Sequence, residues 1–172
     1  MLTAVSWWEA APADDAASAN ICLSRRIMNT AGLLLFLRQH RLAVQASVSP
    51  GSRPQAAVVG IAVSDRFEIV FDTIETTRKA QNLRQNSHVA LIVGGLILGD
   101  ERTVQYEGEV DEPVGAELER LKAVYYSVYP EGPTRINWPG LIYMRVRPTW
   151  IRYSDYNVNP PQIIEFRGED LA

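Results

Sequence analysis

The chain has 172 residues, of which 47% are hydrophobic and 22% charged, and a formal net charge of -3. That is the balance of a single globular domain with a real core; it excludes broad binding to nucleic acid or anionic membrane, which needs a basic excess. No apolar run reaches the roughly 18 residues of a membrane span, and a lone cysteine, Cys22, excludes an internal disulfide or a multi-thiolate metal site.

Residues 1–22 are rich in Ala, Asp, Pro and Ser and read as a flexible arm before one domain over 23–172. The amino terminus lacks the basic start and apolar stretch of a signal peptide, so the expected address is the cytoplasm. From Arg25 to His40, Ile27, Met28, Ala31, Leu34, Leu35 and Leu37 recur at helical spacing. Leu42–Val48 alternates as a strand, and Pro50-Gly51 turns the chain. Gln55–Val63 is a nearly unbroken apolar run, expected as a strand buried on both faces. Ser64-Asp65 turns into a third strand, Phe67–Asp72.

A short helix follows from Thr77 to about Gln85, with Thr76 or Thr77 as its cap and Ala80 and Leu83 as its apolar stripe. His88–Val93 and Arg102–Val110 read as the fourth and fifth strands. Pro113 opens a helix over Val114–Val128, since proline suits a first helical turn. Leu141–Val146 and Thr149–Tyr153 are the last strands, separated at Pro148. Strands run consecutively rather than alternating with helices. The predicted fold is therefore mainly β, an antiparallel split barrel of about seven strands with three flanking helices.

The segment Phe71-Asp72-Thr73-Ile74-Glu75-Thr76-Thr77-Arg78-Lys79 carries the clearest chemistry. A strand there runs into a helix N-terminus, where unpaired N–H groups and the positive end of the dipole already favour an anion. Two hydroxyls and two cations at the same turn suit a phosphate. The bland alternatives are a solvated basic face and simple helix caps. Glu107 and Glu109 share one face of a strand and read as solvent-exposed rather than as an acid/base pair. Thr103 and Gln105 share that face, and the amide of Gln105 could bond the polar atoms of a ring. His40 and His88 have no Asp or Cys at metal spacing, so no metal site is expected. No side chain announces itself as a catalytic acid, base or nucleophile.

Phe71-Asp72-Thr73, Thr77-Arg78-Lys79, the following Ala80, Leu83 and Asn86, and Tyr106-Glu107-Gly108 together resemble the pyridoxamine 5'-phosphate oxidase-like family of FMN-binding split barrels, over roughly residues 30–155. The resemblance implies FMN held between two subunits of a homodimer. Thr77, Arg78 and Lys79 would grip its phosphate, and Asp72 and Thr73 would contact the cofactor through backbone and hydroxyl. The strand Ala57–Ala62 would run under the flavin, with backbone groups of Val58, Val59 and Gly60 reaching ring atoms and Gly60 giving the ring room. Ala57 and Ala62 stand where the true oxidase has an arginine and a lysine, so a second phosphate has no evident binder. The implied function is an FMN-binding, oxidoreductase-like protein other than pyridoxamine phosphate oxidase, acting on an undefined small molecule. The alternatives are a deazaflavin- or haem-binding barrel and a non-catalytic flavin-binding, stress-associated protein.

Overall fold

The computed structural model describes residues 27–95 and 97–171; the expected amino-terminal arm lies outside them. Helix α1 spans Thr30–Gln39, later than the expected start at Arg25. The reason is local: Asn29 is extended, and its Oδ1 accepts from Gly32 N at 2.8 Å, so the cap sets the first turn. Strand β1 (Leu42–Val48) and β2 (Pro54–Gly60) form a hairpin in which Val44 faces Val58 and Gln45 faces Ala57. After Ile61, the two-residue β3 (Ala62–Val63) pairs with β4 (Ile69–Ile74) across a turn where Phe67 takes a positive φ of 59°.

Helix α2 spans Arg78–Gln85, β5 His88–Gly94, β6 Arg102–Asp111 and α3 Gly115–Val128. Pro113 sits just before α3 rather than in its first turn. Strand β7 runs unbroken from Leu141 to Asp155, and β8 (Gln162–Arg167) follows. Among the described residues three α-helices therefore flank eight strands: the two strands expected around Pro148 are one, the expected strand Gln55–Val63 is split at Ile61 into β2 and β3, and β8 is additional.

Pro148 is tolerated inside β7 because it lies at a bulge. Gly108 pairs with Pro148 and Glu107 with Trp150, so Thr149 is the extra residue. A Cβ on Gly108 would collide with the Arg147 carbonyl oxygen, which is why a glycine stands there.

The sheet order is β2-β1-β5-β6-β7-β4-β3, with β8 beside β7. Its two ends, β2 and β3, are consecutive in the chain and separated only by Ile61, whose N–H donates to Arg41 O at 2.9 Å. One run of chain thus closes the barrel by pairing with β1 first and β4 second. The split lies along β7: one side pairs with β6, while the other carries β4 at Leu141–Val146 and β8 at Trp150–Asp155. All pairings are antiparallel.

Inside, Ala43, Leu91, Val93, Val104, Tyr106 and Ile151 pack with Leu33, Phe36 and Leu37 of α1 and with Ala80 and Leu83 of α2. Each large apolar side chain buried this way contributes about 1.5–3 kcal/mol. A second cluster packs α3 on the outside of the barrel, joining Leu121 and Tyr125 to Ala62, Val70 and Tyr143. The expectation of a strand buried on both faces fails at β2, where Val58 is 61% exposed. β2 is a sheet edge, and its outer face is exposed among the described residues. No helix among the described residues is long and apolar enough to cross a membrane.

Candidate functional site: a cationic cleft between α2 and β2

The turn into α2 is built by two threonines. Thr77 is extended, its hydroxyl accepts from Ala80 N at 3.4 Å, and Thr73 Oγ1 lies 3.2 Å from Thr77 Oγ1. The cap leaves the first-turn amides without acceptors inside the helix, at the positive end of the dipole. Ala80 and Leu83 are sunk into the core, which fixes the roll of the helix. Asn82, buried beneath it, donates from Nδ2 to Ser47 Oγ at 3.2 Å and to Gln55 Oε1 at 3.0 Å. Those bonds tie α2 to β1 and β2.

Arg78 and Lys79 are then held at the head of the helix. Neither side chain has a hydrogen bond or ion pair among the described residues. Other cations are committed: Arg84 to Glu112 at 2.6 Å, Arg102 to Asp100 at 2.7 Å and Arg145 to Asp111 at 2.6 Å. Arg102 and its neighbour hold each other charged, and the Arg102 guanidinium keeps the Asp100 carboxyl far below the usual carboxylate range.

Arg78 and Lys79 border an open cleft of about 520 Å3, with Thr77, Ala56, Ala57, Gln45, Ser47 and Gln55 as its other walls. The structure thus brings Ala57, Thr77, Arg78 and Lys79 of the expected site residues to one cleft. Along Pro54–Gly60, β2 is bonded only to β1, so its free edge offers backbone N–H and C=O groups beside the cleft.

The side chains of the remaining expected site residues do not line this cleft; Asp72, Val58, Val59 and Gly60 were expected to act through their backbone. Thr73 is buried and acts on Thr77 rather than lining the cleft. The Asp72 carboxylate turns the other way: Oδ1 accepts from Tyr125 OH at 2.9 Å, and Oδ2 lies 3.2 Å from Arg135 Nη1. Burial, reinforced by the Asp72 charge, pushes the Tyr125 phenol up, so it stays a donor. Val59 is buried in the core, while Val58 points outward. Gly60 has a reason other than room for a ring: a Cβ there would meet the Tyr129 hydroxyl at 2.8 Å. Gln105 lies exposed on the outer face of β6, opposite Ile92 and Arg152, and does not reach this cleft within the protomer. Ala62 is buried under α3, away from the cleft.

Sequence reasoning missed Gln45, Ser47, Gln55 and Asn82. The available signal was polarity out of place. In β1 the inward positions read Ala43, Gln45 and Ser47, and an amide at a core position needs an explanation. Gln45 is fully buried, and both its Oε1 and Nε2 lack a hydrogen-bond partner among the described residues.

The family model described as pyridoxamine 5'-phosphate oxidase matches residues 31–155. The chain belongs to that family, as an antiparallel split barrel. No curated protein matches it in sequence. Among solved structures, a heme binding protein from Mycobacterium smegmatis superposes with a TM-score of 0.71 at 13% identity, covering 84% of this chain. The chain spans only 60% of that protein's length. A putative pyridoxamine 5'-phosphate oxidase from Listeria innocua gives 0.61 at 20% identity, covering 75% of this chain and 98% of that one. An F420 reductase gives 0.54 at 20% identity, covering 68% and 93%. At these identities the likenesses show the fold alone.

Proposed function

We propose that the cleft holds FMN and that the protein is a flavin-dependent, oxidoreductase-like member of its family. One observation carries this reading: two cations without partners stand at the capped start of α2 and share a cleft with the free edge of β2. Thr77, Arg78 and Lys79 would hold the phosphate, and backbone groups of Ala57, Val58, Val59 and Gly60 lie along the strand that would flank the ring. Thr73 orients the Thr77 hydroxyl. Bound FMN supplies hydride or electron transfer at its ring system. The lining side chains are neutral or cationic, so none of them is a carboxylate or imidazole suited to moving a proton at neutral pH.

The neighbours with other ligands define the competing readings. A haem iron takes His, Cys, Met or Tyr as axial ligand, and none of these lines the cleft. A deazaflavin coenzyme with a longer acidic tail needs further cations; of the candidates Arg53, Arg84 and Arg102, the last two are already ion-paired and Arg53 does not line the cleft. A flavin carrier without turnover is favoured by Ala57 and by the buried Ala62, which leave no second cationic substrate site.

The test is a titration of FMN into the wild type and into Arg78→Ala/Lys79→Ala, followed by visible absorbance and thermal midpoint. The expected outcome is a saturable spectral change with thermal stabilisation, about 2.7 kcal/mol at a hundredfold excess over Kd. The double variant should bind at least about tenfold more weakly, because charge-assisted phosphate bonds are each worth about 1.5–3 kcal/mol. No spectral change with the wild type would end the reading. Turnover with NADH or NADPH then separates a reductase from a carrier.

The same reading includes a homodimer. Val58, Val44 and Ile92 form one cross-strand row on the outer face, with Val58 61% and Ile92 39% exposed. Ala56, Ala46 and Ala90 form the next row. Gln105 continues the first row on β6, so in a twofold pair it would face the partner rather than its own cleft.

A further inference from the structure

From β2 to β7 the inward cross-strand row through the cleft reads Ala57, Gln45, Leu91, Tyr106 and Ile151. The only other polar member, Tyr106, is already satisfied: its hydroxyl donates toward Phe67 O at 2.9 Å and lies 3.0 Å from Val146 O. Gln45 has apolar neighbours on both sides in register, and neither atom of its amide has a partner. The nearby polar side chains are engaged elsewhere: Ser47 and Gln55 are drawn to Asn82, and Thr77 to Thr73 and Ala80 N. A primary amide brings two donors and an acceptor, and burying them unmet is costly. The barrel itself supplies no counterpart, while Gln45 forms part of the wall of the cleft that Arg78 and Lys79 border.

We infer that Gln45 is a specificity-determining residue, whose amide takes a hydroxyl of the ligand close to its phosphate. The inference rests on the phosphate-binding reading of the cleft and narrows its ligand class to monophosphate esters of polyhydroxylated chains. A hydroxyl can accept from Nε2 and donate to Oε1, which matches both unmet functions at once. FMN carries such a chain between phosphate and ring. Pyridoxal 5'-phosphate has only a methylene there, and inorganic phosphate has nothing. Ala57, directly opposite Gln45, adds no side chain long enough to contest that space.

The experiment measures FMN, D-ribitol 5-phosphate, n-pentyl phosphate and inorganic phosphate binding to the wild type, Gln45→Met and Gln45→Leu. The last three ligands compete against FMN where it binds and are titrated calorimetrically where it does not. In the wild type, ribitol 5-phosphate should bind about tenfold more tightly than n-pentyl phosphate, which has the same carbon count without the hydroxyls. Both variants should weaken FMN and ribitol 5-phosphate about tenfold while leaving inorganic phosphate within about twofold. Their unliganded thermal midpoints should equal or exceed that of the wild type, because an unpartnered buried amide has been removed. Wild-type affinity for FMN in both variants would overturn the inference and leave the FMN reading standing; it would mean that ordered water alone satisfies Gln45. Equal weakening of inorganic phosphate would also overturn it, by showing that Gln45 acts through the shape of the cleft. Should neither variant fold, equal wild-type affinity for ribitol 5-phosphate and n-pentyl phosphate overturns it. A wild type that binds none of the four phosphates overturns this inference and the FMN reading together.

Discussion

Asp111 holds two arginines from β7: its Oδ2 lies 2.6 Å from Arg145 Nη2 and 2.8 Å from Arg147 Nη1. Arg145 also reaches Glu68 and Glu117, so one network joins β6, β7, α3 and the turn before β4. The Arg145 bonds hold the Asp111 carboxyl below its ordinary range, against the opposing effect of burial. A carboxylate whose pKa is lower folded than unfolded stabilises the protein fully above its unfolded pKa of about 3.9 and loses that contribution as pH falls further. Asp111→Asn should therefore lower the thermal midpoint at pH 7, and the gap to wild type should close below about pH 4. A gap that stays constant down to pH 3 would contradict this account. At the same scale, Thr77, Arg78 and Lys79 were legible in the sequence because hydroxyls and cations at a strand-to-helix turn act locally. The direction of the Asp72 carboxylate was not, since its partners Tyr125 and Arg135 lie more than fifty residues further along the chain. Gln45 was not, because only the closed barrel shows that nothing meets its amide.

Among the elements, α2 followed expectation to within a residue, because its cap and its Ala80/Leu83 stripe are written in a short stretch. Strand β7 did not. Proline reads as a break, but the missing N–H of Pro148 is harmless where β7 itself bulges against β6. Gly108 makes that arrangement fit, with Arg147 O and the Val146 side chain occupying the space a Cβ would need. Gly108→Ala is expected to destabilise by about 1–3 kcal/mol through overpacking, measured by chemical denaturation. Gly51→Ala is the control, since a Cβ there meets nothing within 4 Å. An unchanged denaturation midpoint for Gly108→Ala would remove the steric account of the bulge. Strand β8 escaped the sequence reading because it follows the loop after Asp155 and gains its order by pairing with β7 from Trp150 to Asp155.

The whole molecule leaves one face unfinished. The outer rows of β2, β1 and β5 are apolar and partly exposed, and they turn polar at β6 with Gln105 and Glu107. A twofold partner covering those rows would bury Val58 and bring a second cleft near the first. Light scattering should give a mass near twice the 19.2 kDa chain. Ile92→Glu should shift it toward the monomer, since Ile92 lies in the middle of that face and outside the cleft. A wild-type monomer at working concentration with FMN bound would defeat the dimer.

Sequence alone determined the class of fold, the order of most elements and the cationic turn, because periodicity, caps and turn chemistry depend on neighbours a few residues apart. Tertiary structure decided which of these meet. Closure of one chain segment onto both β1 and β4 brings β2 alongside α2, turns Asp72 toward α3 and Gln105 to the outer face, and leaves the Gln45 amide unpaired beside the cleft. Those outcomes depend on contacts between distant strands, whose register no local pattern specifies.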